Sequence, residues 1–417
     1  MKTFFRISIC IFLLAIPGFS QAQKFRTETL SSDVKTLRVN IVDQWNASPI
    51  IVLEGNELVE INFDVMGATP ERYIYSIIHC NADWKPSQLI QSEYMNGFQN
   101  RIIDDYAISF NTTTDYVNYR VTFPNEDTYL KVSGNYVVQI SPESGGKPIL
   151  NACFSVVDND ANISMQVSSL TDKGMNSYYQ QVNFEVTGGE RVRTPMQELK
   201  VYVQQNNRTD NEAALVKPLS VQGNKLIYQH NPNLIFDGGN EYRSFEMTTV
   251  RHNGLNIENI EFHAPYYHVI LKPDGMRSNR TYSYTEDING RFYIRSLTGT
   301  DFDYESDYRI VHFYLPCEKP FNQDVYILSN AFNNIFDQRS KMEYNAVEKG
   351  YTKSVLLKEG YYNYLYVTRK DNNSPANPTL IEGNYYETEN EYRVLVYYRP
   401  IGGRYDQLIG TKTVQFK

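Results

Sequence analysis

Hydrophobic and polar positions along this chain alternate with a period of two. From Leu58 to Val65, the apolar Val59, Ile61, Phe63 and Val65 alternate with Glu60, Asn62 and Asp64, the pattern of a strand with one buried face. The same rhythm sets Val311, Phe313 and Leu315 against Ile310, His312 and Tyr314, and it sets Tyr392, Val394, Val396 and Tyr398 against Arg393, Leu395 and Tyr397. A further short run covers Asn135 to Ile140. Paired glycines punctuate these runs at Gly145 and Gly146, Gly188 and Gly189, Gly238 and Gly239, and Gly402 and Gly403, where positive φ is admitted. Helical periodicity is scarce, and its best stretch is the short one from Phe332 to Arg339. Short strands separated by frequent turns predict an all-β protein of tandem immunoglobulin-like β-sandwich domains.

The strand rhythm is interrupted near Asp158 to Ala161, and again near Lys272 to Arg280 with its Pro273, Asp274 and Gly275. These breaks divide the chain into sandwich domains over residues 23–158, 159–275 and 276–417, each large enough to bury a core. Ahead of them, residues 1–22 have the layout of a secretory signal peptide. Lys2 and Arg6 supply the basic region, Ile7 to Ile16 are almost wholly apolar, and Ser20, Gln21 and Ala22 form a small-x-small cleavage site. The mature chain is expected to begin at Gln23. The apolar run is too short to span a bilayer, and Cys10 lies inside it rather than after it, which argues against a lipid anchor.

Composition narrows the partners. A net charge of -8 disfavours nucleic acid and bare anionic lipid, which would be repelled on average. No later stretch is long and apolar enough for a transmembrane helix, so direct membrane insertion is not expected. Tyrosine is abundant, at 34 residues. Its β propensity accounts for most of these structurally, while its amphipathic ring also suits recognition surfaces. Three cysteines follow the leader, Cys80, Cys153 and Cys317. Cys80 and Cys153 could bridge two strands of one domain, or remain as buried thiols.

Catalytic chemistry is hard to find. Of six histidines, His252, His263 and His268 share a segment, but no pair has the i, i+4 spacing of a zinc protease helix. His263 and His268, five apart in a strand-like stretch, are expected on opposite faces. Asp301, Asp303, Glu305 and Asp307 resemble the first half of a calcium loop, yet Ser306 stands where the turn glycine belongs, so an acidic lead-in to the strand at Arg309 to Leu315 is the better reading. There is no Gly-x-Ser-x-Gly elbow and no phosphate-cradling loop. Two carboxylates would suffice for a glycosidase, but the helices of such a barrel are missing from the pattern. No residue is therefore singled out as catalytic, cofactor-binding or metal-binding, and neither a cofactor nor a small-molecule substrate is expected.

One region is more specific. His79, Cys80, Asn81, Ala82, Asp83 and Trp84 are followed in order by Leu89, Glu93, Tyr94, Gly97 and Phe98, then by Ile103, Asp105, Tyr106, Ser109, Phe110 and Thr112. Tyr116, Tyr119, Phe123, Pro124 and Asn125 come next, and Ser133, Gly134, Asn135 and Tyr136 close the series. This succession resembles the plug protein family of the type 9 secretion system. Similar character returns at Met342 to Asn345, at Gly360 to Tyr364, and from Glu382 to Asn390. The resemblance implies an exported, non-enzymatic periplasmic protein, peripherally associated with the outer membrane. It would bind the periplasmic opening of a giant β-barrel translocon and seal the pore when idle. The matched residues themselves read as scaffold: Trp84 folding over a core edge, Tyr94 and Phe98 stapling a loop, Gly134 and Asn135 turning into a strand. Which residues contact the barrel is left open. The alternative is a carbohydrate-binding multi-sandwich protein of a polysaccharide-handling system.

Overall fold

A computed structural model describes residues 24–189 and 191–417; the expected leader and its cleavage site lie outside the described residues. Strands take 47% of the chain and helix 6%, which settles the all-β class. The stretch from Phe332 to Arg339 is not a helix. A single 3-10 turn, Asn330–Phe332, ends there because Asn333 and Asn334 both enter the left-handed region, at φ 51° and 53°.

The alternating residues build three cores. In the first, a four-stranded sheet runs in the order Val34–Ile41, Val59–Met66, Tyr116–Phe123, Tyr106–Ile108. It packs on Arg101–Ile102, Tyr73–Cys80, Gly134–Pro142 and Leu150–Val157. Val59, Ile61 and Phe63, the alternating set read from the sequence, are fully buried between the two layers with Tyr75, Ile77 and Phe154. In the second core, Val182, Phe184 and Val186 of Tyr179–Gly188 meet Val201 and Val203 of Leu199–Gln205. The third joins Phe245, Val311, Phe313, Tyr364 and Tyr366.

The division expected near residue 275 is not where the cores divide. Tyr392, Val394, Val396 and Tyr398 belong to the second core, because Asn390–Tyr398 pairs in register with Leu199–Gln205. Gln407–Phe416 lies beside it. At the other end, Phe245 and Met247 belong to the third core. The third sandwich is thus inserted into the second, and the chain returns to finish the second with its last two strands. A parallel contact, Val157 to Leu408, then carries the sheet of the second sandwich into that of the first.

The tyrosine excess is largely spent inside. Nine of the twelve largest fully buried side chains are tyrosines, and the hydroxyls of eight of them find protein partners. Tyr136 donates to the Val132 carbonyl at 2.7 Å and Tyr392 to Gln180 Oε1 at 2.8 Å.

Cys80 and Cys153 are both free and buried. Gly134–Pro142 lies between their strands, so they stand two strand spacings, about 10 Å, apart, beyond the reach of a disulfide. Burial pushes the Cys80 thiol up to about 12 and the Cys153 thiol well above its ordinary value, so both act as small hydrophobes.

Candidate functional site

Several residues of the His79 to Tyr136 succession and of the acidic run lie where sandwiches meet. His79 ends the strand Tyr73–Cys80, and its buried ring stands edge-on to Tyr136 at 5.0 Å and to Tyr405 at 5.4 Å. Its Nδ1 lies 2.9 Å from Ser87 Oγ. Gly134 must be glycine here. Its φ is +138°, and a Cβ would come within 2.4 Å of His79 Nε2 and 2.9 Å of the Asp406 carbonyl oxygen.

Past His79 the chain docks on the second sandwich. Asp406, completely buried, accepts from the Ala82 amide at 3.0 Å, from Lys200 Nζ at 2.9 Å and from Arg399 Nε at 2.7 Å. Arg399 Nη2 also donates to Asn81 Oδ1 at 2.6 Å. Asn135, inside its strand rather than in a turn, accepts from Tyr397 OH at 3.0 Å and donates to the Asn81 carbonyl at 3.1 Å. Trp84 covers a core edge, packed on the cluster of Phe25, Cys80, Val137 and Cys153. Tyr94 is buried and donates to the Ile77 carbonyl at 2.9 Å. Phe98 staples nothing: it is 77% exposed.

The acidic run has a different use from a lead-in to a strand. Asp301 caps the one-turn helix Phe302–Glu305, accepting from the Asp303 amide. That turn projects Asp303 toward the first sandwich, where it accepts from Arg38 Nη2 at 2.5 Å and Asn62 Nδ2 at 3.0 Å. Asp307 accepts from the Thr113 and Thr114 amides, each at 3.1 Å. Beneath them lies Lys358, with a fully buried side chain. Its ammonium donates to Asp64 Oδ2 at 2.6 Å and to the Asp303 carbonyl at 2.5 Å. Tyr308 OH donates to the same Asp64 oxygen at 2.5 Å, and Lys358 stands 4.1 Å from the centre of the Tyr116 ring.

The third contact joins the inserted sandwich to its host through Arg291, whose Nη2 donates to Glu391 of the strand Asn390–Tyr398 at 2.8 Å. Glu382, fully buried, accepts from Arg243 Nη2 at 2.9 Å and Arg277 Nε at 2.6 Å, close to the start of the return segment. Asn390 Nδ2 reaches the Gly238 carbonyl at 2.7 Å. Between all three sandwiches opens a polar cleft of 970 Å³, lined among others by Arg38, Trp45, Ser48, Asn207, Arg291 and Arg393.

Away from the cleft, the segment carrying His263 and His268 is a hairpin. His263 ends Ile257–His263 and His268 lies in Tyr266–Leu271, so the rings come within 5.1 Å rather than facing apart. His268 Nδ1 and His312 Nε2 are 2.8 Å apart, one donating to the other. Burial, and His268 beside it, hold His312 below its ordinary value.

Residues 34–158 match the model of the type 9 secretion system plug protein 1st domain. Residues 34–158 are a first domain of the type 9 secretion system plug family. The matched stretch spans the first core and includes Asn81, Ala82, Asn135, Arg38 and Asp64, which reach the other two sandwiches. That domain associates the chain with that secretion system and with a structural role. The whole molecule is similar to a hypothetical protein from Parabacteroides merdae ATCC 43184, known from a crystal structure. Identity is 47% over 94% of this chain and 100% of that one, with a TM-score of 0.93. Alignments to the B domain of a biofilm associated protein and to BspA_C_mut have TM-scores of 0.20 and 0.15, at 8% and 6% identity. No curated protein matches the chain.

The buried histidine of the plug-family run makes acid stability testable. Burial lowers His79 from 6.5 to about 4, so below pH 6.5 the unfolded chain takes a proton that the folded one refuses until about pH 4. Stability from this group is therefore intact above pH 6.5 and falls by about 3 kcal/mol as pH drops to 4. Glu241 and Asp287, pushed up by burial to about 7 and about 6, act with the opposite sign, losing stability as pH rises. The His79 effect is thus read as the difference between wild type and His79→Gln. Urea unfolding at pH 7.5 and 4.5 should show the variant gaining on wild type in acid by a large part of that figure. Equal pH slopes would refute it.

Proposed function

We propose that this chain is a non-enzymatic periplasmic plug. It binds the periplasmic opening of the type 9 secretion β-barrel and seals the pore while no cargo passes. The match of residues 34–158 to the plug family carries this reading. Physical need supports it, since a barrel wide enough for folded cargo leaks small solutes unless something occludes it. A stopper must hold its outline against a fluctuating partner. Buried charged contacts at Asp406, Lys358 and Glu391, one at each junction between sandwiches, suit that task better than hinged domains would. No helix among the described residues is long and apolar enough to cross a membrane, so contact with the barrel's own surface is the route this reading takes to the outer membrane.

The test is affinity purification of the C-terminally tagged chain, expressed from its own locus, out of gently solubilised outer membranes. A giant β-barrel should co-purify at near-equal stoichiometry. Recovery of the chain free in the periplasm, or bound to polysaccharide with no barrel, would overturn the reading.

A further inference from the structure

The floor of the cleft holds more positive charge than its neighbours answer. Arg291 places Nη2 2.8 and 2.9 Å from the two oxygens of Glu391, and Arg393 places Nη2 3.1 Å from Glu391 Oε1. Two guanidiniums thus share one carboxylate, with side chains only 10%, 8% and 9% exposed for Arg291, Arg393 and Glu391. The other partners of Arg393 are the hydroxyls of Ser48 and Thr413, which carry no charge. Arg393 Nη1 has no protein acceptor among the described residues. Burial above all, with Arg291 adding to it against the pull of Glu391, brings Arg393 down to about 10. A guanidinium held this way has only a counter-charge shared with Arg291. Arg393 also borders a second, 90 Å³ recess beside the cleft, with room for an anion; Glu212 shares that recess, and burial pushes its carboxyl above the ordinary value, toward the neutral form.

The walls specify what kind of anion. Ser48 Oγ donates to Asn207 Oδ1 at 2.9 Å, leaving the Asn207 amide nitrogen without a protein partner among the described residues. Asn333, Asn334, Asn372 and Asn373 line the same opening. Side-chain amides carry both donors and acceptors, as a peptide backbone does. Aromatic faces, by contrast, are in part taken. Phe292 stacks on Tyr362 at 5.3 Å, Phe336 lies under the Arg369 guanidinium at 4.8 Å, and Trp45 leans on Tyr293 at 5.1 Å. Trp45 keeps 44% of its surface exposed at the cleft, so a saccharide is the competitor the test must exclude.

We propose that this cleft binds an extended acidic polypeptide segment, one carboxylate of which seats on Arg393 while the asparagine amides pair with its backbone. A chain that never meets a barrel would keep the cleft, so this inference and the plug reading fail separately. On a protein of net charge -8, an acidic peptide finds little else to hold it.

Fluorescence anisotropy of the full chain with labelled octapeptides tests this. Alternating Glu-Ser peptide should bind at least ten-fold more tightly than alternating Gln-Ser, and lose affinity with salt. Arg393→Gln should remove the preference, but it empties a buried position and could unfold the sandwich. Asn207→Asp avoids that problem, since a left-handed position, φ 57°, tolerates Asp as well as Asn. It places a carboxylate in the cleft that competes for Arg393, so it should raise the melting temperature and weaken the Glu-Ser peptide at least ten-fold, leaving Gln-Ser unchanged. Equal binding of the two peptides would overturn the proposal, as would undiminished Glu-Ser binding by Asn207→Asp. Tighter binding of an oligogalacturonate of equal charge would overturn it too, in favour of an anionic saccharide.

Discussion

Replacing Lys358 with Met should destabilise the protein by about 3–5 kcal/mol, the cost of leaving one member of a buried ion pair alone. Both Lys358 and Asp64 have fully buried side chains, so water cannot take the place of the lost ammonium. Tyr308 OH and Asn118 Nδ2 would still donate to Asp64, but neither carries charge. Because Asp64 belongs to the first sandwich and Lys358 to the third, the loss should appear at their junction. Urea unfolding should shift to a lower midpoint and separate into two transitions as the first sandwich uncouples. The double variant Asp64→Asn with Lys358→Met removes both charges and should recover most of the loss, since burying an ion pair gains little over a neutral packing. A change below 1 kcal/mol in the single variant would show that the pair is not buried as described.

Asp406→Ala should cost about 3 kcal/mol and act on the opposite side of the first sandwich. Asp406 answers two cations, and it is also the acceptor for the Ala82 amide. Lys200 and Arg399 are 31% and 29% exposed and can turn to water, which caps the loss. The Ala82 amide cannot, because Ala82 is buried among Val157, Tyr202, Leu395 and Leu408, and a buried donor without an acceptor costs about 1–3 kcal/mol by itself. Hydrogen exchange distinguishes this account from general loosening. The Ala82 amide should lose protection far more than the Val138 and Tyr364 amides in the strands Gly134–Pro142 and Gly360–Arg369. Uniform loss of protection would refute a local role for Asp406.

Together these variants also bear on the plug reading. If a rigid outline is what closes the pore, Lys358→Met and Asp406→Ala should leak or lose the barrel at temperatures where each sandwich is still folded.

How far the site could be read in advance depended on whether its contacts are local. The succession from His79 to Tyr136 was visible as family character, and several of its members read correctly as scaffold: Trp84 does cover a core edge, and Tyr94 does anchor its loop. What those residues reach for was not visible. Asn81 and Ala82 meet Asp406 more than three hundred residues away, and nothing near either end marks the other. The acidic run at Asp301 to Asp307 shows the same limit. Its composition suggested solvated charge, because the arginine that answers Asp303 is Arg38, in another sandwich. His263 and His268 were misplaced for a smaller reason: the turn at Ala264 and Pro265 falls between them and makes one apparent strand into two.

Alternation by itself determined that this protein is made of strands and, where one face stays open as in Tyr308–Pro316, which face is buried; Asn390–Tyr398 is buried on both. Successive side chains on an extended chain point to opposite sides whatever the strand pairs with, so that information is local and survives in the sequence. Pairing partners are not local. Only the tertiary structure decided that Asn390–Tyr398 completes the second sandwich rather than the third. Only there do Asp64, Asp406 and Glu391 become buried carboxylates among cations drawn from distant parts of the chain. A charged side chain on a strand reads as solvent-facing until another domain covers it, and the covering is a property of the packed molecule.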